Sequence, residues 1–160
     1  MKRPIVPAFL ALALAAAAAP AAAQTNAGGC REEGPLPNEI RCFLEAAEAA
    51  DDASVCDGAY DFAVRFNCIS KFAENSGDPG PCDRIPIRNN RLLLMRDACV
   101  SGVAAAIRLP QLCDQVQLAF MRDTCFMTQV LQYQAPPELC ARIVRADVRE
   151  LCLSPPAGSP

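Results

Sequence analysis

The stretch from Cys82 to Cys125, CDRIPIRNNRLLLMRDACVSGVAAAIRLPQLCDQVQLAFMRDTC, says the same thing twice. It opens with Cys82-Asp83 and again with Cys113-Asp114, and Met95-Arg96-Asp97-Ala98-Cys99 returns as Met121-Arg122-Asp123-Thr124-Cys125. Followed outward, the phrase covers most of the 160 residues. The ten cysteines stand at 30, 42, 56, 68, 82, 99, 113, 125, 140 and 152. Taken in pairs, their internal steps are 12, 12, 17, 12 and 12, and the steps from pair to pair are 26, 26, 31 and 27. A fixed period of roughly 20 to 50 residues marks a stacked array of similar units, so the chain reads as five copies of one motif. One five-residue insertion, Ile85-Pro86-Ile87-Arg88-Asn89, accounts for both the long step and the long period.

Each copy reads as two helices. Apolar residues recur four places before the second cysteine (Val64, Met95, Met121, Val148) and one place after it (Phe43, Ile69, Val100, Phe126, Leu153). That is a helical stripe, not the alternation of a strand. The longer helices are expected near 38–50, 60–74, 90–107, 116–132 and 145–153. The first cysteine of each pair falls on a short helix introduced by Asp51-Asp52, Asp78-Pro79, Pro110 or Pro136-Pro137. Pro37 and Pro86 lie between paired cysteines, where a hairpin needs its bend. The fold class is all-α, an array of five short disulfide-linked helical hairpins.

Geometry also requires a bend. Cysteines 12 residues apart on one unbroken helix have Cα atoms about 18 Å apart, whereas a disulfide needs roughly 4.4 to 6.8 Å. Either the chain turns back between them or each cysteine bonds outside its pair. The preferred pairing is Cys30–Cys42, Cys56–Cys68, Cys82–Cys99, Cys113–Cys125 and Cys140–Cys152, which uses every cysteine once and repeats with the motif. A shifted register strands Cys30 and Cys152, and a nested scheme with Cys42–Cys56 inside Cys30–Cys68 stays open. A unit of some 26 residues is too small to bury a sufficient core alone.

Residues 1–23 read as a removable export signal: Met1-Lys2-Arg3, an apolar run from Ile5 to Ala19, and Ala21-Ala22-Ala23 before Gln24. Pro4, Pro7 and Pro20 break the run below the roughly 20 residues of a membrane span. The expected organisation is signal 1–23, flexible lead 24–29, cysteine-paired repeat domain 30–153 and flexible tail 154–160. The Arg-rich, Ala-rich composition suggests a bacterial periplasmic or secreted protein, with no membrane contact once the signal is removed.

The chain has no histidine and no tryptophan. Serine and cysteine triads built on histidine, His-ligated metal sites and c-type haem attachment are thereby excluded. Without Lys2 and Arg3, 13 basic residues face 18 acidic ones, a formal charge of −5 that disfavours a nucleic-acid partner. No C-x-x-C motif is present and the cysteine steps do not match zinc knuckles. No cofactor, metal or catalytic residue is expected.

Arg65, Arg96, Arg122 and Arg149 each stand three places before a second cysteine, and Asp57, Asp83 and Asp114 each follow a first one. Helical phase puts these arginines inside the apolar arc, and a buried arginine needs a partner. Structural ion pairs within each hairpin are therefore expected: Arg65–Asp57, Arg96–Asp83 and Arg122–Asp114. Arg149 has Ala141 where its partner belongs, while the first copy has Arg31 and Glu39 in place of the aspartate and arginine. Asp51-Asp52 reads as helix-start charge, and Ser70-Lys71 is no dyad, because adjacent helical residues do not face one another. Phe120, Met121, Phe126 and Met127 read as core, and the insertion is the first place to look for a binding face.

The recurring C-x-x-[IV], then R-x-x-C followed by an apolar residue, resembles cysteine-rich helical-repeat proteins exported by bacteria and archaea, from Cys56 to Cys152 above all. More distantly the hairpin unit is similar to tetratricopeptide-type solenoids and to twin-cysteine helical hairpins. These resemblances imply the fold and carry over no functional residue. The function expected is that of a non-catalytic protein-interaction or scaffold module with an unknown protein partner. The rivals are a secreted disulfide-rich inhibitor or effector, and an enzyme whose carboxylates meet only in three dimensions.

Overall fold

In a computed structural model, residues 29–30 and 35–154 are described. The signal at 1–23, the lead apart from Gly29, Arg31 and the tail beyond Ser154 lie outside the described residues. Five long helices, α1 (Leu36–Ala50), α2 (Phe62–Ser76), α3 (Asn90–Ala106), α4 (Ala119–Tyr133) and α5 (Ala146–Leu153), alternate with single 3-10 turns at Ala53–Gly58, Gly80–Arg84, Pro110–Gln115 and Pro137–Arg142. No strand occurs among the described residues. The expected array is the observed one, with the short helix of each unit reduced to a 3-10 turn.

All ten cysteines are paired within their units, at Cα separations of 5.5 to 5.8 Å. The turns are built to one plan. The residue three after the first cysteine returns its N–H to that cysteine's carbonyl: Ala59 to Cys56 (3.1 Å), Ile85 to Cys82 (3.1 Å), Val116 to Cys113 (3.2 Å) and Ile143 to Cys140 (3.1 Å). All four side chains are buried, and there the backbone leaves the turn for extended conformation. Each 3-10 turn lies between the long helix before it and the one after it, and each long helix packs on the next. Contacts near like ends give the helices a common sense. Asn75 of α2 donates to Glu48 of α1 (2.6 Å), both near C-termini, and Arg108 beyond α3 lies 5.9 Å from the Tyr133 ring at the end of α4.

The core is a thin seam of cystine, alanine and the helical stripe, with Phe43, Val64, Ile69, Val100, Val103 and Phe126 its fully buried side chains on the long helices. Each disulfide closing a 12-residue loop contributes on the order of 3 kcal/mol by restricting the unfolded chain. Two sequence expectations fail here. Phe120 is 48% exposed, because five places before Cys125 is about 140° round the helix from it. Pro37 marks no bend; it sits in the first turn of α1, where a missing N–H costs nothing.

Candidate functional site

Besides the shared core, charged side chains join one repeat to the next, and the expected ion pairs within hairpins are mostly not among them. Only Arg96–Asp83 forms, at 3.0 Å, with Arg96 8% exposed. Asp57 pairs instead with Arg84, and Asp114 with Arg142. Both arginines stand two places after the first cysteine of the following repeat, so this aspartate reaches forward along the array. Arg142 also lies 5.1 Å from the Phe126 ring. Asp83 is the exception because the corresponding place downstream is Gln115. It therefore turns back to Arg96, whose Nη1 donates to the Gln115 carbonyl.

The arginines before the second cysteine serve the backbone. Arg65 donates to Ala59 O (2.9 Å) and Arg149 to Ile143 O (3.4 Å). These are the carbonyls at which the 3-10 turn breaks into extended chain and runs out of helical donors. Arg149, left without an aspartate by Ala141, thus makes the same contact as Arg65. Arg122 is half-buried and makes no ion pair among the described residues.

Two buried carboxylates were not foreseen. Asp97 and Asp123, each two places before a second cysteine, are 0% exposed. Asp97 accepts from Gln117 N (3.0 and 3.1 Å) and Leu118 N (2.7 Å); Asp123 accepts from Val144 N (2.9 Å) and Arg145 N (3.0 Å). Each clamps the two amides that lead into the next repeat's long helix. The leading residues of α4 and α5, Leu118 and Arg145, make no side-chain cap of their own. In the first two repeats the clamp place holds Ile40 and Phe66, and the following helices cap themselves. Asp61 accepts from Ala63 N (2.7 Å) and Val64 N (3.3 Å), and Asn89 from Leu92 N (3.0 Å). A side-chain oxygen acceptor is thus supplied from the helix's own start or from the previous repeat. The near-identity of 95–99 and 121–125 was the signal for it.

The other candidates are placed as follows. Asp52 caps the first 3-10 turn, and the Ser54 hydroxyl and then the Ser54 amide hold its carboxyl below the ordinary range. Asp51 instead ends α1 in the left-handed region, φ 51°. The Arg145 guanidinium likewise lowers Asp147. Ser70 is buried, and Lys71 is engaged with Glu74 at 2.6 Å. No group of three or more potential metal ligands is found among the described residues. A cleft of about 200 Å³ holds Glu48 and Asp51 with Phe72, Asn75 and Ser76, but Asn75 already occupies Glu48.

The insertion lies inside the Cys82–Cys99 ring. Ile85 anchors it at one end, buried at 2%, and the Asn89 side chain fixes the other by capping α3. Between the anchors Ile87 is 51% exposed and Arg88 is exposed; on the first turns of α3 Arg91 and Leu94 are exposed too. Neither Arg88 nor Arg91 has an ion-pair partner among the described residues, so a small apolar and basic knob projects from an acidic protein. No family model, curated protein or solved structure matches the chain.

Proposed function

We propose that this chain is a non-catalytic exported scaffold of the bacterial envelope that binds another protein through the loop inside the Cys82–Cys99 ring. The disulfide count fits an oxidising compartment, and no helix among the described residues is long and apolar enough to cross a membrane. The observation that carries the reading is the loop itself. It is the largest departure from the repeat in mid-array, it is held at both ends, and it presents Ile87 and two arginines with no ion-pair partner among the described residues. A pre-organised loop loses less entropy on binding than a free one, and its charge selects a partner surface that is apolar with acidic groups.

A second reading shares the surface. Ile87-Arg88 between fixed anchors is also what an inhibitor inserts into an enzyme cleft. Co-purification from the native compartment, with Ile87→Asp and the Arg88→Glu/Arg91→Glu pair beside the parent chain, tests both. A stoichiometric partner that both variants lose, with helical content and thiol count unchanged, supports the reading; if the partner has enzymatic activity that the chain suppresses, the inhibitor form holds. Retention of the partner by both variants rejects the loop.

A further inference from the structure

Two exposed places recur near the start of the long helix in the second to fifth repeats. Eight before the second cysteine stand Tyr60, Arg91, Gln117 and Val144, and five before it stand Ala63, Leu94, Phe120 and Asp147, all of them exposed. The two places are three residues apart, about one helical turn. Each repeat has a large apolar side chain at one of them and a small or polar one at the other. The apolar members are Tyr60 (89% exposed), Leu94 (37%), Phe120 (48%) and Val144 (63%). Because α2, α3, α4 and α5 pack in order with a common sense, these four form a row across the array. The loop inside the Cys82–Cys99 ring joins the row in the third repeat, since Asn89 caps the helix that carries Arg91 and Leu94.

We propose, resting on the loop's reading as a binding site, that this row is the docking surface for an extended segment of another protein, apolar and acidic, laid across the second to fifth repeats. Charge selects the acidic partner. The carboxylates beside the row are already engaged: Asp61 accepts from the Ala63 and Val64 amides, and Asp147 pairs with Arg145. Arg88 and Arg91 have no ion-pair partner among the described residues, so the middle of the row is basic. A second copy of this chain, docked about a two-fold axis through that middle, sets these arginines against their own images, and juxtaposed like charges oppose it. Carboxylates at that place are attracted instead. Spacing selects the extended shape. Packed helices lie about 8 to 10 Å apart, and a polyproline-II chain turns once in three residues over about 9 Å. An apolar side chain at every third place of such a segment therefore faces the row and meets one repeat each time. Its backbone has no internal hydrogen bonds, and the exposed Gln117 amide in the row offers it both a donor and an acceptor.

The test is selection from a library of random dodecapeptides displayed on phage, against the full chain with its disulfides intact, followed by fluorescence anisotropy of the selected peptides. Expected is enrichment of apolar residues three places apart with aspartate or glutamate between them. Affinity should fall about tenfold or more on Phe120→Asp and on Tyr60→Ala, neither of which lies in the loop. Arg91→Glu should cost as much, whereas Leu109→Asp, at an exposed place beyond the other end of α3, should cost nothing. Tyr60 is exposed enough that its truncation leaves the melting temperature at the parent value. Selected peptides of neutral or basic composition, binding that survives both Phe120→Asp and Tyr60→Ala, or a library without a binder overturns the proposal. Self-association, or binding to phosphatidylglycerol vesicles, that these substitutions abolish overturns it too. Binding lost on Ile87→Asp yet kept by Phe120→Asp and Tyr60→Ala rejects the row and leaves the loop as the site.

Discussion

Replacing Asp97 with alanine removes the shared acceptor of the Gln117 and Leu118 amides, which lie 2.7 to 3.1 Å from its carboxylate. The side chain is fully buried, so water does not simply take its place. Two backbone donors left without an acceptor cost about 1 to 3 kcal/mol each. The substitution also removes the Arg96–Asp97 pair at 3.4 Å, a small further loss because Arg96 keeps Asp83 and the Gln115 carbonyl. The net loss expected is about 3 to 4 kcal/mol. Asp61→Ala, which removes an exposed local cap from α2, is the control, at about 1 kcal/mol. For a chain of this size each kcal/mol lowers the melting temperature by about 4 °C. Thermal unfolding followed by circular dichroism, disulfides intact, should place Asp97→Ala some 12 to 16 °C below the parent on that scale. Native-state hydrogen exchange supplies the local readout, because the Gln117 and Leu118 amides should lose protection while those of α2 keep theirs. An Asp97→Ala protein no less stable than Asp61→Ala, or unchanged exchange at these two amides, would show that the clamp does not hold the repeats together.

Gly77 sits at φ 70°, where an added Cβ comes 2.9 Å from Ile107 Cγ2; Gly77→Ala should cost about 1 to 2 kcal/mol in the same melt, and an unchanged melt refutes the strain. Serine at both Cys82 and Cys99 releases a loop with a sequence separation of 17 and should cost about 3 kcal/mol, with proteolysis beginning between Ile85 and Asn89; a cleavage pattern like the parent's contradicts that. Asp52 titrates below its ordinary value in the folded chain, so its contribution to stability is present above the unfolded pKa and is lost as pH falls through the folded one. Ser54→Ala removes the larger cause and should raise the Asp52 carboxyl pKa, read by carbon NMR; no movement contradicts the assignment.

What the sequence made legible is what one repeat does by itself. Cysteine steps of 12 fix a hairpin once helical stripes are seen on either side, and the helix bounds follow to within a few residues from the apolar places around Cys68, Cys99 and Cys125. Polar partners are not legible in the same way, because helical phase gives the face on which a side chain lies but not the neighbour stacked against it. Asp57 and Arg65 share a hairpin, yet Asp57 meets Arg84, 27 residues on. The stacking offset decides this, and it was written in the sequence in a form that needs two repeats at once. Arginine two places after a first cysteine occurs at Arg84 and Arg142, just where the preceding repeat has Asp57 and Asp114. The clamp at Asp97 and Asp123 was hidden for a different reason. A carboxylate two places before the cysteine lies about 160° round the helix from it and looks like a surface charge until the amides it binds, about 20 residues downstream, are folded against it.

These junction contacts also distinguish the outer repeats from the inner ones. The forward ion pair needs an aspartate just after the first cysteine, and the fifth repeat has Ala141 there. The clamp needs amides four and five places after the first cysteine, and in the first repeat the second of these is Pro35, which has no N–H. A copy of the first repeat set behind the fifth would bring alanine where a carboxylate is wanted. It would also bring proline where a donor is wanted, with the longer and exposed Glu150 at the clamp place. Each outer repeat thus lacks one member of an interaction formed at some of the inner junctions. Repeat arrays require atypical terminal units because identical ends adhere. The first and fifth repeats are atypical in this polar sense, one missing a donor and the other an acceptor, while the apolar stripe continues from Phe43 to Val148.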